Sequence, residues 1–131
     1  MRITRFEDLT IWKLSLKVTR LIYDLTSQNK FVKDFGLKSQ IQRAIVSVSS
    51  NIVEGFEKNN NNEFIRYLKI AKGSIGEVRN QLYISRDINY INDKEFNYLN
   101  DLLLDLSNQI GKFISYLIMK RKINSFSINN N

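Results

Sequence analysis

The sequence predicts an all-α fold, an antiparallel up-down-up-down four-helix bundle, on three observations. Apolar residues recur at three- and four-residue steps in four separate stretches. Proline is absent, which favours long uninterrupted helices over a turn-rich sheet protein. The links between the stretches are short and polar, as between antiparallel neighbours in a bundle. A lone extended coiled coil is the alternative, and the links argue against it. At 131 residues the chain is long enough for one core and short for two.

The first helix is carried by Ile11, Leu14, Val18, Leu21 and Leu25, with Thr4 and Glu7 spaced as a capping box before it. A polar loop follows, roughly residues 27–34. The second helix carries Leu37, Ile41, Ala44, Ile45, Val48 and Ile52, and Gly55 is placed to end it. Asparagines of "FEKNNNNEF" are then available to cap the third helix, whose seam is Phe64, Leu68, Ala71, Ile75, Val78, Leu82 and Ser85. The fourth helix has Asn92 as cap with Glu95 three residues on, and Ile91 and Phe96 at hydrophobic-staple positions. Its seam runs Phe96, Leu99, Leu103, Leu106, Ile110, Phe113 and Leu117. The bundle is expected over residues 1–122, and the aperiodic "INSFSINNN", residues 123–131, is expected to be a disordered tail.

Composition narrows function next. No run of about 18 apolar residues exists, so no membrane span is expected, and "MRITRFEDLT" lacks a signal-peptide core. Cysteine is absent, which fits a cytoplasmic protein. Twenty basic residues against 13 acidic leave a net charge of +7, the sign of a polyanion partner. Solubility alone is the bland reading of the same excess. Histidine is absent, which removes the usual general base and the commonest zinc ligand. A serine nucleophile would lack its base, Asp101 and Asp105 project away from the fourth seam, and no phosphate-binding glycine loop occurs. The chain therefore reads as a non-enzyme with no catalytic residues, no metal and no cofactor.

Helix one has a second apolar stripe. At about 100° per residue, Leu9, Trp12, Leu16 and Tyr23 point almost opposite the Ile11–Leu25 face, leaving Lys13, Lys17, Arg20 and Asp24 as a narrow wet edge. A corner helix needs one stripe, so the second is expected to bury against another subunit. The competing reading is a splayed bundle that takes both stripes inside.

Three segments, "FEDLTIWKL", "FGLKSQIQRAIVSVSSNIVEG" and "YLKIAKGSIGEVRNQL", resemble the four-helix bundle proteins of the 23S rRNA intervening-sequence family. Most specific are the Ser-Asn-x-x-Glu-Gly end of helix two and Ala71-x-Gly73-Ser74 in helix three. The resemblance implies a homopentameric barrel and no established catalysis. It is similar in fold to accessory variability proteins of diversity-generating retroelements, which implies nucleic-acid binding and association with a reverse transcriptase. Ser49 stands where relatives often carry proline, and Gln42 where many have a second arginine beside Arg43.

Residues Arg43, Ser47, Ser50, Asn51 and Glu54 fall at helical steps and form a small polar stripe on helix two. Gly73 and Gly76 sit mid-helix in helix three, each costing about 1 kcal/mol against alanine. A close helix contact explains both: the glycines admit helix two, and Asn51, Ser74 and Glu54 satisfy one another across it, with Glu54 buried enough to need a donor. The nucleic-acid surface is expected from cations. Lys72, Arg79 and Arg86 recur every seven residues beside the third seam, Arg66 and Lys69 lie on the same helix, and Lys120, Arg121 and Lys122 close the fourth. Pairing with Glu77, Asp87 or a neighbouring subunit is the alternative use of that row. The expected protein is thus a non-catalytic, homo-oligomeric scaffold of bacterial type that binds RNA or other nucleic acid mostly without sequence preference. A protein-docking adaptor, serving for example a reverse transcriptase, is the alternative.

Overall fold

The computed structural model describes residues 3–129, with side chains described over 3–120. Four α-helices make up the fold: α1 (Thr10–Thr26), α2 (Phe35–Glu57), α3 (Asn61–Asp87) and α4 (Asp93–Asn129). Short 3-10 turns at Phe6–Asp8 and Phe31–Lys33 precede α1 and α2, and no strand occurs among the described residues. Helix α2 packs on α1 and α3, and α4 packs on α3 and α1. Helices α1 and α3 are not backbone neighbours, so they are diagonal in the bundle and their outer faces look in opposite directions. The backbone of α4 stays helical to Asn129, beyond residue 122, where the loss of period predicts a tail.

The core follows the apolar period. Ile41, Ile45, Val48 and Ile52 of α2, Leu68, Ala71, Val78 and Leu82 of α3, and Leu103, Leu106 and Ile110 of α4 are all fully buried. In α1 the buried line is Ile11, Ser15, Val18, Ile22 and Leu25, while Leu14 and Leu21 are only half-buried. The expected seam is therefore rotated by part of a turn. Serine does not interrupt it, because Ser15 Oγ donates to the Trp12 carbonyl at 2.7 Å and so brings no unpaired hydroxyl into the core.

Helix ends show why the chain manages without proline. Asn29, Asn59 and Asn89 have φ of 51°, 55° and 64°, the left-handed conformation that asparagine tolerates better than most residues. After α3 the Tyr90 amide donates to the Ser85 carbonyl at 2.8 Å and the Asn89 amide to the Arg86 carbonyl at 3.0 Å. This is a Schellman stop with asparagine in the glycine position. Asn59 acts at the corresponding place after α2, so the expectation that Gly55 ends that helix is corrected: Gly55 lies buried inside the last turn. Starts are capped by side chains: Asp34 Oδ1 accepts from the Leu37 amide, and Asn60 Oδ1 from the Glu63 amide, each at 3.0 Å. Asn92 and Glu95 form the expected reciprocal box, at 2.8 and 3.0 Å. Thr4 and Glu7 do not; α1 begins at Thr10 without a side-chain cap, and Glu7 pairs with Arg5.

Candidate functional site: the cationic faces

Three places were marked by the sequence, and the folded chain treats them differently. At the α2–α3 contact, Ser47 Oγ and Ser74 Oγ share a hydrogen bond of 3.0 Å. Asn51 Nδ2 donates within α2 to the Ser47 carbonyl at 2.7 Å and to Ser47 Oγ at 2.9 Å. Asn51 therefore reaches Ser74 only through Ser47, and the Ser47–Ser74 bond alone crosses the seam. The rest of the expected constellation needs correction. Arg43, Ser50 and Glu54 are exposed; Glu54 accepts a long 3.3 Å bond from the Tyr67 hydroxyl and is not a buried carboxylate.

The glycine expectation is overturned. A Cβ built on Gly73 or Gly76 would meet nothing within 4 Å, because both lie on the outer face of α3. The close approach is made by Gly55 instead, whose Cβ would stand 2.7 Å from Tyr67 Cβ and 3.0 Å from Phe64 Cδ1. The signal for this was present. Val48, Ile52 and Gly55 continue the buried spacing of α2, while Gly73 is about half a turn from the Leu68–Ile75 line.

The apolar stripe on α1 divides in two. Leu9 is 2% exposed and belongs to the core of its own chain, which removes it from any interface. Trp12 is half-buried, edge-on to Phe6 with ring centroids 5.3 Å apart. Leu16 and Tyr23 alone stay outside, 52% and 43% exposed. The chain enters α1 from an extended residue at Leu9, and that turn carries the first part of the stripe inward.

The row on α3 lies along the groove with α4. Arg79 Nε donates to Asn100 Oδ1 at 2.9 Å. Arg86 stacks its guanidinium 4.0 Å from the Phe96 ring centre and 5.3 Å from that of Tyr83, with Asp93 at 4.0 Å. Lys72 lays its ammonium over α4, where a Cβ on Gly111 would be 3.3 Å from Nζ. Arg66 is paired with Glu63 at 2.7 Å and stacked on Tyr67 at 4.5 Å; its hydrogen bond holds the Glu63 carboxyl below the ordinary value. Lys69 and Lys120 are exposed, and Arg121 and Lys122 fall outside the described side chains. Arg79 and Arg86 therefore help to join two helices, and the row is not a free edge.

Sequence reasoning missed a second set of cations. Lys13, Lys17 and Arg20 on α1 and Arg43 on α2 are exposed, with no ion pair or hydrogen bond from their side chains among the described residues. The signal is the wet edge of helix one, Lys13, Lys17 and Arg20, which the sequence sets beside the second apolar stripe. At the loop end of the bundle, the Tyr90 hydroxyl donates to Asp34 Oδ2 at 2.9 Å, which raises the tyrosine above its ordinary pKa. Asp101 and Asp105 are exposed on α4. No described helix is long and apolar enough to cross a membrane.

Comparison with known proteins agrees with the fold. The model of the 23S rRNA-intervening sequence protein family matches residues 7–112. No curated protein matches the chain. Among solved structures, a protein with unknown function from the S23 ribosomal protein family of Bacteroides thetaiotaomicron superposes with a TM-score of 0.74. It is 22% identical over 80% of this chain and 98% of the other, a likeness of fold alone.

Proposed function

The chain belongs to the 23S rRNA-intervening sequence protein family, and from that premise we propose that it is a non-catalytic scaffold that binds nucleic acid through its surplus positive charge. One observation carries the reading. Among the cationic residues whose side chains are described, only Arg5, Arg66 and Arg86 make ion pairs, so most of that described charge is uncompensated. Uncompensated charge of one sign gathers a polyanion and releases its counterions. No set of side chains spells base recognition, so sequence preference is expected to be weak.

Nothing in the description of the family or of the solved neighbour indicates an enzyme, which supports a scaffold. Contacts along the helix pairs favour the antiparallel up-down-up-down order: Ser47 meets Ser74 where Glu54 meets Tyr67, and Arg79 meets Asn100 where Arg86 meets Asp93. The proposed setting is the cytoplasm, and the proposed state is a homo-oligomer, a pentameric barrel if the resemblance holds. Its interface needs a different face from the one first expected, because Leu9 and Trp12 turn inward. The outer face of α3, with exposed Ile70 and Ile84 beside the two open glycines, is the better candidate.

Fluorescence anisotropy with structured RNA and with duplex DNA, at two salt concentrations, tests the reading. Binding at low salt that weakens steeply as salt rises is the expected result. A wild type with no affinity for either would leave the charge as a solvating surface and return the adaptor role to first place.

A further inference from the structure

Lys13, Lys17 and Arg20 of α1 and Arg43 of α2 lie on neighbouring helices. Helix α1 contains one acid, Asp24, which is exposed and in no ion pair. The nearest acid on the way into α2 is Asp34, and it is engaged by the Leu37 amide and the Tyr90 hydroxyl. Helix α2 has no carboxylate before Glu54. Positive charge on this side of the bundle is therefore left unneutralised along more than half of α2 and nearly all of α1.

The surface between these cations is neither flat nor wholly polar. A shallow depression of about 680 Å³ runs along α1, walled by Lys13, Leu16, Lys17, Thr19, Arg20 and Tyr23. A second, of about 550 Å³, lies between α1 and α2 and is lined by residues that include Gln42, Arg43 and Ser50. Tyr23 belongs to both, and the residue is 43% exposed. An aromatic plane set between two cation-lined depressions is the arrangement that single strands use, with phosphates on the cations and a base on the ring. A duplex hides its base faces and gains only the phosphate half of such a site.

We propose that the α1–α2 face is a binding site for single-stranded nucleic acid, in which Lys13, Lys17, Arg20 and Arg43 meet phosphates and Tyr23 stacks on an unpaired base. The proposal rests on the nucleic-acid reading above and goes beyond it by moving the contact from α3 to the diagonal side of the bundle. Leu16, 52% exposed beside Tyr23, supplies apolar contact for the sugar and base edge. Hydroxyls of Thr19 and Ser50 border the same surface.

The test uses the full chain and labelled oligouridylate, oligothymidylate and a blunt DNA duplex as probes. Lys17→Glu/Arg20→Glu is compared with Lys94→Glu/Lys112→Glu, an equal charge change at exposed positions of α4. The first variant is expected to weaken single-strand binding by roughly tenfold or more, the second by about threefold at most. Tyr23→Leu, which keeps apolar bulk, is expected to cost about fivefold or more on the single strands and to leave the duplex unchanged. Equal losses in the two charge variants would overturn the site, since bulk charge alone would then explain binding. So would wild-type affinity in Lys17→Glu/Arg20→Glu, whether or not its oligomeric mass falls; a mass that falls would assign the face to self-association. Wild type that binds the duplex but not the single strands refutes this site and leaves the general reading standing. Wild type that binds none of the three refutes both. The two polymer arms distinguish RNA from DNA as the strand, and either one supports the site.

Discussion

Two sets of cations, on diagonal helices of one small bundle, meet opposite fates. Arg79 and Arg86 of α3 sit beside its core line, and a neighbouring helix supplies each with a partner: Asn100 for one, Phe96 and Asp93 for the other. Lys13, Lys17 and Arg20 of α1 sit opposite its core line and meet only solvent. The difference lies in angle, not in residue type. A cation that flanks a seam is within reach of the next helix and becomes part of the packing, its stem covering apolar surface. One that points away keeps its charge available for a partner outside the chain. Recurrence alone does not separate the two cases, since both sets recur at helical steps; phase relative to the core line does.

Substitutions at partnered and partnerless positions sharpen this contrast, and the same logic extends to the glycines. Gly55→Ala should cost the most, about 1–3 kcal/mol, because its Cβ would meet Tyr67 Cβ at 2.7 Å and α2 would have to move off α3. Urea unfolding reads this directly; an unchanged midpoint would show that the contact yields freely. Arg79→Ala/Arg86→Ala should cost about 1–2 kcal/mol through one lost hydrogen bond and one lost ring stack. The matched Lys17→Ala/Arg20→Ala pair should stay within about 0.5 kcal/mol. If the two pairs unfold at the same denaturant concentration, the proposed division of labour is wrong. Within one chain Gly73→Ala meets open space, so it should stabilise the unassembled bundle by about 0.5–1 kcal/mol. A loss of stability there would mean that the outer face of α3 is covered, which light scattering on the same variant would reveal.

Much of the fold was legible because it depends on a period. Most buried residues of α2 and α3 follow from spacing alone, although Ile65 and Gln81 lie outside the expected seam and Leu37 is only half-buried. The Asn92–Glu95 box is legible because both partners lie in one turn. The site was less legible, for two physical reasons. Glycines at 73 and 76 were assigned to a contact by composition, although their phase placed them outside; phase was the better guide. Leu9 could not be judged on a helical wheel because it lies before the helix, in extended backbone that folds it into the core. Arg79 and Arg86 were seen as a row, but their partners on α4 come from far along the chain, and no local pattern announces such pairs. The motif on α3 places Ser74 at the α2–α3 contact, but the partner it meets is Ser47, one turn before the expected Asn51.

The most direct test of the central claim is the slope of log affinity for oligouridylate against log salt. Each phosphate contact on a single strand contributes about 0.7 to that slope. Lys17→Gln/Arg20→Gln removes two proposed contacts without reversing charge and should lower the slope by about 1.4. Lys72→Gln/Arg79→Gln, on the α3–α4 groove, should leave it unchanged. A slope that falls with the α3 pair and holds with the α1 pair would contradict the account and restore the groove as the phosphate-binding edge.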